Sequence, residues 1–339
     1  MLWIGAQFAR QSRFKDEIAT SHTTFLAMTT KTMDIFYFLI FPGFLFAVLV
    51  GLVCTWVDRK VTARLQWRVG PPFWQPFYDF GKLLSKEITV PKQGERISFL
   101  LAPFLGLLAA TLVAAILGFS IVFPARGFIG DLIVVLYLLI IPSLAVIIGG
   151  FAAANPLASI GASREMKMIM AYELPFILAI LVPVIKSDFS VKINTIMFFQ
   201  QQHGAVVGSL SGFIAFLVCL LVVQAKLAFP PFDSPEAETE LMAGPGIEYS
   251  GGLLALFKLT RAILLFLLPL FLVILFFGGI SLSGWHLLAG ILKIVLLLVI
   301  IVIIKNTNPR LRIDQSLRFF WVNCTLLSIL AILLAYLGL

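Results

Sequence analysis

The feature that most constrains this chain is a series of long apolar runs separated by polar segments. Eight such runs lie at about residues 34–57, 97–123, 130–153, 171–187, 207–229, 251–278, 284–305 and 316–338. A helix of about 20 mainly apolar residues crosses the hydrocarbon core of a bilayer. Backbone polar groups in lipid must be paired within the segment, so each run is predicted to be helical. The chain is therefore predicted to be an all-α, polytopic membrane protein with about eight transmembrane helices.

Composition excludes a soluble globular fold. Of the 339 residues, 60% are hydrophobic and 12% are charged, whereas a soluble domain carries about 25% charged residues. The net charge of +8 does not indicate nucleic-acid binding, because basic residues in a membrane protein set its orientation. We predict one transmembrane domain over residues 34–339, preceded by a polar extension over residues 1–33 to which we assign no function.

The distribution of basic residues predicts the orientation. Most lysines and arginines lie in the segments that follow the odd-numbered runs. The positive-inside rule therefore makes those segments cytoplasmic and places both termini outside a cell (inner) membrane. The predicted cytoplasmic loops are residues 58–96, 154–170, 226–250 and 306–315.

The first long loop is basic. Within it, Phe73, Phe77, Phe80 and Leu84 follow spacings of four, three and four residues. This spacing predicts a helix that lies in the interface with its aromatic face toward lipid or neighbouring spans. The basic residues are explained either by topology and contact with anionic lipid, or by docking of a cytoplasmic partner.

The second long loop, residues 226–250, is acidic. Asp233, Glu236 and Glu240 would share one face of a helix capped by Asp233 or Ser234. Repulsion and partial burial would raise some of their pKa values, which suits groups that take up and release protons. A solvated acidic face, or salt bridges to the basic loop, explains the same pattern equally well.

Several ionisable residues fall within or beside the apolar runs, where they are rare and usually functional. Glu165 and Glu173 precede or enter the fourth run, Lys258 and Arg261 lie in the sixth, and Lys293 lies in the seventh. Snorkelling to the interface is a poor explanation for Glu173, Lys258 and Lys293. With the acidic loop, these residues form a hypothetical polar route from the cytoplasm into the bilayer.

Motifs for covalent or redox chemistry are missing from the sequence. It has no glycine-rich phosphate loop, no nucleophile elbow and no cysteine or histidine spacing typical of metal sites. We therefore expect no metal or cofactor in this chain, and a role in transport, ion coupling or anchoring. Any part in an enzyme would be that of a non-catalytic subunit.

Three sequence blocks, in order, resemble one family. They read DRKVTARLQWRVGPP followed by QPFYDFGKLLSKE, then GASREMKMIMAYELPF, then PFDSPEAETELMAGPGIEYSG. Together they resemble the complex I membrane subunit 1 family, whose members lie at the base of the quinone chamber. The resemblance covers about residues 34–339. The forms PPFDSPEAETE, GPGIEYSG and REMKMIMAYE are more similar to the branch of energy-converting membrane-bound [NiFe] hydrogenases and formate hydrogenlyase.

The resemblance implies a membrane anchor that couples a cytoplasmic redox arm to H⁺ or Na⁺ translocation. It implies partner subunits that carry a NiFe centre and iron–sulfur clusters, antiporter-like membrane subunits, and ferredoxin as the electron donor. The residues implied in ion coupling are Glu165, Glu173, Asp233, Glu236, Glu238, Glu240 and Glu248, to which Lys258 and Lys293 are added by their position in the membrane. Those implied in docking the redox arm are Arg59, Arg64 and Arg68.

Two alternatives stay open. One is the quinone-chamber subunit of NADH:quinone oxidoreductase, from the other branch of the family. The second alternative, of another class, is a stand-alone secondary ion transporter. That class is typified by internal repeats with paired broken helices, and no convincing repeat relates the two halves of this sequence.

Overall fold

The computed structural model describes residues 36–123, 127–280 and 284–338, and the predicted N-terminal extension lies outside these ranges. Regular structure within the described ranges is helical. The helices are α1 Phe44–Leu65, α2 Gln75–Leu84, α3 Arg96–Val122, α4 Asp131–Leu138, α5 Ile141–Ala152, α6 Pro156–Lys186, α7 Ile193–His203, α8 Leu210–Lys226, α9 Glu238–Leu241, α10 Gly251–Phe276, α11 Gly284–Thr307, α12 Ile313–Arg318 and α13 Thr325–Tyr336.

Seven helical segments of the described chain are long and apolar enough to cross a membrane. They include Phe36–Leu65, the joined α4 and α5, and a segment Ile313–Tyr336 that a π-helical stretch, Phe319–Cys324, connects from α12 to α13. The shorter apolar helix α8, of 17 residues, corresponds to the remaining predicted span. The prediction of an all-α polytopic membrane protein is confirmed.

The fourth span begins much earlier than predicted. Helix α6 is 31 residues long and starts at Pro156, so most of the segment predicted as a loop at 154–170 is helical. Asn155 caps it by accepting a hydrogen bond of 2.9 Å from the Leu157 amide, and Pro156 suits the first helical position. The hydropathy pattern missed this start because polar residues interrupt the apolar run.

The predicted interfacial helix of the basic loop is α2. It packs against α1 and α10, and Phe77 and Phe80 are partly buried against the main apolar core. Phe73 instead contacts Trp56 edge to face, with ring centroids 5.2 Å apart, and Leu84 is exposed. The aromatic face therefore meets neighbouring spans, one of the two environments that its spacing predicted.

The acidic loop does not form the predicted continuous helix. The Ala237 amide donates to the Asp233 carbonyl at 3.0 Å, closing a single turn, and α9 spans only four residues. Gly244, with φ of +53°, then brings the chain back against Pro235: a Cβ at Gly244 would lie 2.3 Å from the Pro235 carbonyl oxygen. This close approach requires glycine and turns the loop onto α6.

Helix α10 lies at the centre of the bundle, and most of its residues are buried. We define the charged end of the bundle by the termini of α1 at Leu65, of α6 at Pro156 and of α8 at Lys226, together with the loops 58–96 and 226–250. The opposite end carries the C-terminus of α10 and the helix α7.

Candidate functional site

The acidic loop folds directly onto the charged end of α6. A Cβ at Gly161 would lie 2.7 Å from Pro245 Cδ and 2.9 Å from the Pro235 carbonyl oxygen, and one at Gly150 would lie 3.0 Å from Pro245 Cβ. Glycines on α5 and α6 thus let the loop approach the helix backbones. This approach holds the acidic side chains over the ends of the membrane helices.

Three carboxylates of the loop each pair with a different arginine. Arg310 Nε lies 2.6 Å from Asp233 Oδ2, and Arg164 Nη1 lies 2.7 Å from Glu240 Oε2. The third pair joins Glu236 to Arg261, which donates from both terminal nitrogens, with one hydrogen bond of 2.9 Å.

The prediction that Asp233, Glu236 and Glu240 share one face of a helix is therefore wrong. The chain turns between them, so the three side chains diverge toward separate partners. The carboxylates form salt bridges, but the prediction that their partners lie in the basic loop is wrong, because the arginines come from α6, α10 and the segment after α11. None of the three lies in the basic loop 58–96.

The environments of these carboxylates shift their pKa values in opposite directions. Burial raises the pKa of Asp233, and the nearby Arg310 opposes that shift. The hydrogen bond from Arg164 lowers the pKa of Glu240, which is exposed. Asp233 thus holds a proton more readily than Glu240 does.

A fourth ion pair lies deeper, between Glu173 on α6 and Lys226 at the end of α8. The exposed fraction of the lysine side chain is 3% and that of the glutamate is 14%. The lysine ammonium also lies 5.0 Å from the ring centre of Tyr172 and 4.9 Å from that of Phe176. Two aromatic faces and one carboxylate therefore stabilise a cation that burial disfavours.

Glu165 is buried on α6 between the two groups of ion pairs. Its carboxyl group hydrogen-bonds to Ser143 and experiences the charges of Glu236, Arg261 and Lys226. The Ser143 hydroxyl in turn lies 3.4 Å from the Tyr172 hydroxyl. The polar groups that form one series from the loop to the deep pair are Glu236, Arg261, Glu165, Ser143, Tyr172, Lys226 and Glu173.

Sequence reasoning missed two members of this series. Lys226 was counted among the orientation signals, although its place at the end of a long apolar run was a usable signal for burial. Ser143 gave no such signal in the sequence, because a single serine in an apolar helix is common and its partners are distant in sequence. Its contact with Glu165 depends on how α5 packs on α6.

Glu248, Lys258 and Lys293, also predicted to take part in coupling, lie apart from this series. Glu248 accepts a hydrogen bond of 2.6 Å from Asn155 Nδ2 and so anchors the loop at the start of α6. Lys258 is exposed. Lys293 donates to the Phe277 carbonyl at 2.8 Å, at the opposite end of the bundle. The Glu238 side chain lies outside the part of the structure that is described.

Lys293 therefore does not belong to the predicted polar route, which is wrong for that residue. Its ammonium satisfies a carbonyl oxygen just beyond the C-terminus of α10, where helix carbonyls lack intrahelical partners. The position of Lys293 within an apolar run did not predict this contact. Helix α11 packs beside α10, so the Lys293 side chain reaches the end of the neighbouring helix.

The predicted docking arginines have two different environments. Arg59 Nη1 lies 2.6 Å from Asp79 Oδ2, and this hydrogen bond lowers the pKa of Asp79. Arg64 and Arg68 are exposed at the charged end, on either side of Trp67, which is 98% exposed. Among the described residues, no group of three His, Cys, Asp or Glu side chains is placed to hold a metal ion.

The fold and site define a class: multi-pass helical membrane proteins with an ion-paired charged end and polar groups leading into the bundle. The family model described as NADH dehydrogenase matches residues 37–336, so the chain belongs to that family, the family of complex I membrane subunit 1. The resemblance to this family that the sequence blocks indicated is confirmed.

Known relatives agree with this assignment. The chain is 37% identical over 302 residues to an NADH-quinone oxidoreductase subunit of Thermomicrobium roseum, covering 81% of this chain and 87% of the relative. It is 35% identical over 298 residues to an NADH-quinone oxidoreductase subunit of Thermus thermophilus, covering 81% and 80%. A chain of the membrane-bound sulfane sulfur reductase, an archaeal respiratory membrane complex, matches with a TM-score of 0.78 and 27% identity, covering 86% of this chain and 96% of that one.

Proposed function

We propose that this chain is the membrane-anchor and ion-coupling subunit of a complex I-type respiratory complex. The observation that carries the proposal is the series of polar groups from the Glu236–Arg261 pair, through buried Glu165, to the Glu173–Lys226 pair. Its groups are close enough for the charge of one to act on the next, and it begins in a loop at the charged end of the bundle.

The chemistry of the series is proton exchange coupled to ion-pair rearrangement. Protonation of Glu173 would remove the carboxylate that balances Lys226, and a buried cation without its partner is strongly disfavoured. The ammonium would then be stabilised by Tyr172 and by ionised Glu165, whose negative charge acts on it. A proton arriving at one glutamate therefore favours ionisation of the other.

A redox arm would supply the driving force from the charged end. We propose that Arg64, Arg68 and exposed Trp67 contact hydrophilic partner subunits that carry a NiFe centre and iron–sulfur clusters, with ferredoxin as donor. Antiporter-like membrane subunits would lie beside the bundle. The charged end would be cytoplasmic, both termini would be outside, and the host would be the cell membrane, as the basic residues predict.

The test is redox-driven ion uptake into inverted membrane vesicles. We expect Glu173→Gln to abolish uptake while redox turnover and assembly of the partner subunits persist. The matched control is Glu87→Gln, an exposed glutamate of the basic loop, which should leave uptake unchanged. Normal uptake by the Glu173 variant would refute the assignment of that residue.

A second candidate is the quinone-reducing type, favoured by the names of the two curated relatives, both NADH-quinone oxidoreductase subunits. The motif forms in the acidic loop favour the hydrogenase type instead. Purification of the chain with its partners distinguishes the two. Hydrogen evolution from reduced ferredoxin supports the hydrogenase type, whereas quinone-dependent turnover blocked by a quinone-site inhibitor supports the other.

A further inference from the structure

An ion pair outside the series that begins at Glu236 joins Asp58 on α1 to Lys305 on α11. The Lys305 ammonium donates to both carboxylate oxygens, at 3.0 and 2.9 Å. The aspartate is buried and the lysine is partly buried. Asp58 precedes the last residue of α1 by seven positions, which is about 10 Å along the helix axis. The pair therefore ties two spans together inside the bundle, and the proposed ion coupling does not use it.

Neighbouring side chains on the same two helices extend this contact. The Thr62 hydroxyl donates to the Asp58 carboxylate at 3.5 Å, and Asn306 Nδ2 donates to the Thr62 hydroxyl at 3.1 Å. Gln66 Nε2, at the end of α1, donates to Asn306 Oδ1 at 3.4 Å. Polar contacts thus join the ends of α1 and α11 over about two helical turns.

The same lysine contacts the acidic loop. The Lys305 ammonium lies 4.1 Å from the ring centre of Phe229, which is buried. A cation over an aromatic face is stabilised most where water is excluded. Phe229 follows Lys226 by three residues and precedes Asp233 by four. Lys305 therefore contacts the short connection between the deep Glu173–Lys226 pair and the carboxylates of the loop.

Beyond Lys305 the chain continues along this connection. The Leu311 amide donates to the Pro231 carbonyl at 2.9 Å, and Arg310 Nε lies 2.6 Å from Asp233 Oδ2. Together with the contact on Phe229, these bonds join the segment 305–311 to the segment 229–233. The contact at Lys305 is also tied to α1, so it fixes the start of the segment that carries Arg310.

We propose that Lys305, held by Asp58, is a positioning residue of the ion-coupling site that fixes the segment 305–311 so that Arg310 meets Asp233. The inference rests on the proposed function, since Asp233 belongs to the loop in which the coupling series begins. Lys305 acts through Arg310 and does not itself exchange the proton.

The charged groups around Asp233 set the direction of the expected effect. Burial raises the pKa of this carboxyl group, Arg310 lowers it, and Glu236 of the same loop raises it. Arg164 of α6 lies close by, because it donates to the Ser234 carbonyl at 3.2 Å. Releasing Arg310 should therefore raise the pKa of Asp233, so that the carboxyl group keeps its proton to higher pH.

The experiment uses the whole complex, in mild detergent for amide hydrogen exchange and in inverted vesicles for ion uptake. The test variant is the double Asp58→Asn, Lys305→Met, which removes both charges and leaves no buried ion without its partner. Exchange at the Leu311 amide should accelerate at least about tenfold, the factor expected when a hydrogen bond involving a charged group is lost. The acidic limb of the pH profile of ions moved per electron should shift to higher pH.

A second test variant keeps the ion pair. Phe229→Leu removes the ring beneath the lysine, so it should change exchange and pH profile in the same direction as the double variant, by less. If the double variant fails to assemble, Phe229→Leu decides the question by the same two measurements.

Two controls separate positioning from a general loss of structure. Lys305→Arg keeps a cation between Asp58 and Phe229 and should retain the wild-type exchange and pH profile. Lys293→Met removes another lysine of α11, whose ammonium bonds to the Phe277 carbonyl at the opposite end. It should leave both measurements unchanged.

Two results would overturn the inference. Unchanged exchange at Leu311 in the test variants would show that the ion pair does not position the segment. Faster exchange with an unshifted pH profile would show that the segment moves without affecting Asp233. A wild-type complex that moves no ions would instead refute the proposed function, and exchange at Leu311 would still decide whether Lys305 positions the segment.

Discussion

The two ends of the bundle are held together by different chemistry. At the charged end, side chains pair with side chains of opposite charge, as in Glu173–Lys226 and Glu236–Arg261. At the opposite end, polar side chains bond to the backbone. Asp131 accepts from the amides of Leu132 and Ile193, both at 2.8 Å, and Lys293 donates to the Phe277 carbonyl.

Gln200 best illustrates the opposite end. It is buried, and its Nε2 donates to the carbonyls of Ile274 and Leu275 at 3.1 and 3.0 Å. Its Oε1 accepts from the Gly278 amide at 2.9 Å. These contacts satisfy groups at the end of α10 that the helix itself leaves unpaired.

The difference teaches that similar polar residues serve different purposes at the two ends. Peptide groups do not titrate, so none of these contacts at the opposite end holds a second charged group that protonation could release. Each ion pair at the charged end contains a carboxylate that can accept a proton and release its partner. Ion coupling is therefore expected at the charged end, and a purely structural role for the polar side chains at the opposite end.

The largest effect is expected from Lys226→Met. Removing the lysine leaves Glu173 with an uncompensated buried charge, which should lower the free energy of unfolding by about 3 to 5 kcal/mol. The double variant Glu173→Gln, Lys226→Met removes both charges and should recover most of that loss. The measurement is a denaturation series in detergent, completed as a double-mutant cycle. A double variant as unstable as the single one would show that the pair's charges do not cause the loss.

A smaller effect is expected from Gln200→Leu at the opposite end. The carbonyls of Ile274 and Leu275 and the Gly278 amide would lose buried partners, at a cost of about 1 to 3 kcal/mol. The ratio of ions moved per electron should stay at the wild-type value, because no titrating group is lost. A changed ratio in vesicles would break the proposed division between the two ends.

The smallest effect is expected from the exposed Glu240–Arg164 pair. Arg164 lowers the pKa of Glu240, so the stabilisation is present above the pKa of the unfolded state and is lost as the pH falls through the lowered folded pKa. Arg164→Gln should return the Glu240 pKa toward its usual value and flatten this acid dependence. The measurement is stability against pH over the acidic range. An unaltered profile would mean that the pair makes no contribution.

Hydropathy and helical spacing predicted the spans and the interfacial helix α2, because burial in lipid and helix periodicity are local properties of the sequence. The acidic loop was also located correctly. The partners of its carboxylates were not predicted. Arg164, Arg261 and Arg310 come from three separate parts of the chain and meet the loop only after the helices pack. Lys226 and Lys293 show the same limit: two lysines in apolar runs lie at opposite ends with unrelated partners.

The most direct test of the account is the ratio of ions translocated to electrons transferred in inverted vesicles that carry the double variant Glu173→Gln, Lys226→Met. This variant keeps a neutral, packed pair, so assembly and redox turnover should persist. We expect that ion translocation is abolished, because neither remaining side chain can exchange a proton. Translocation at the wild-type ratio would contradict the account and reduce the deep ion pair to a structural contact.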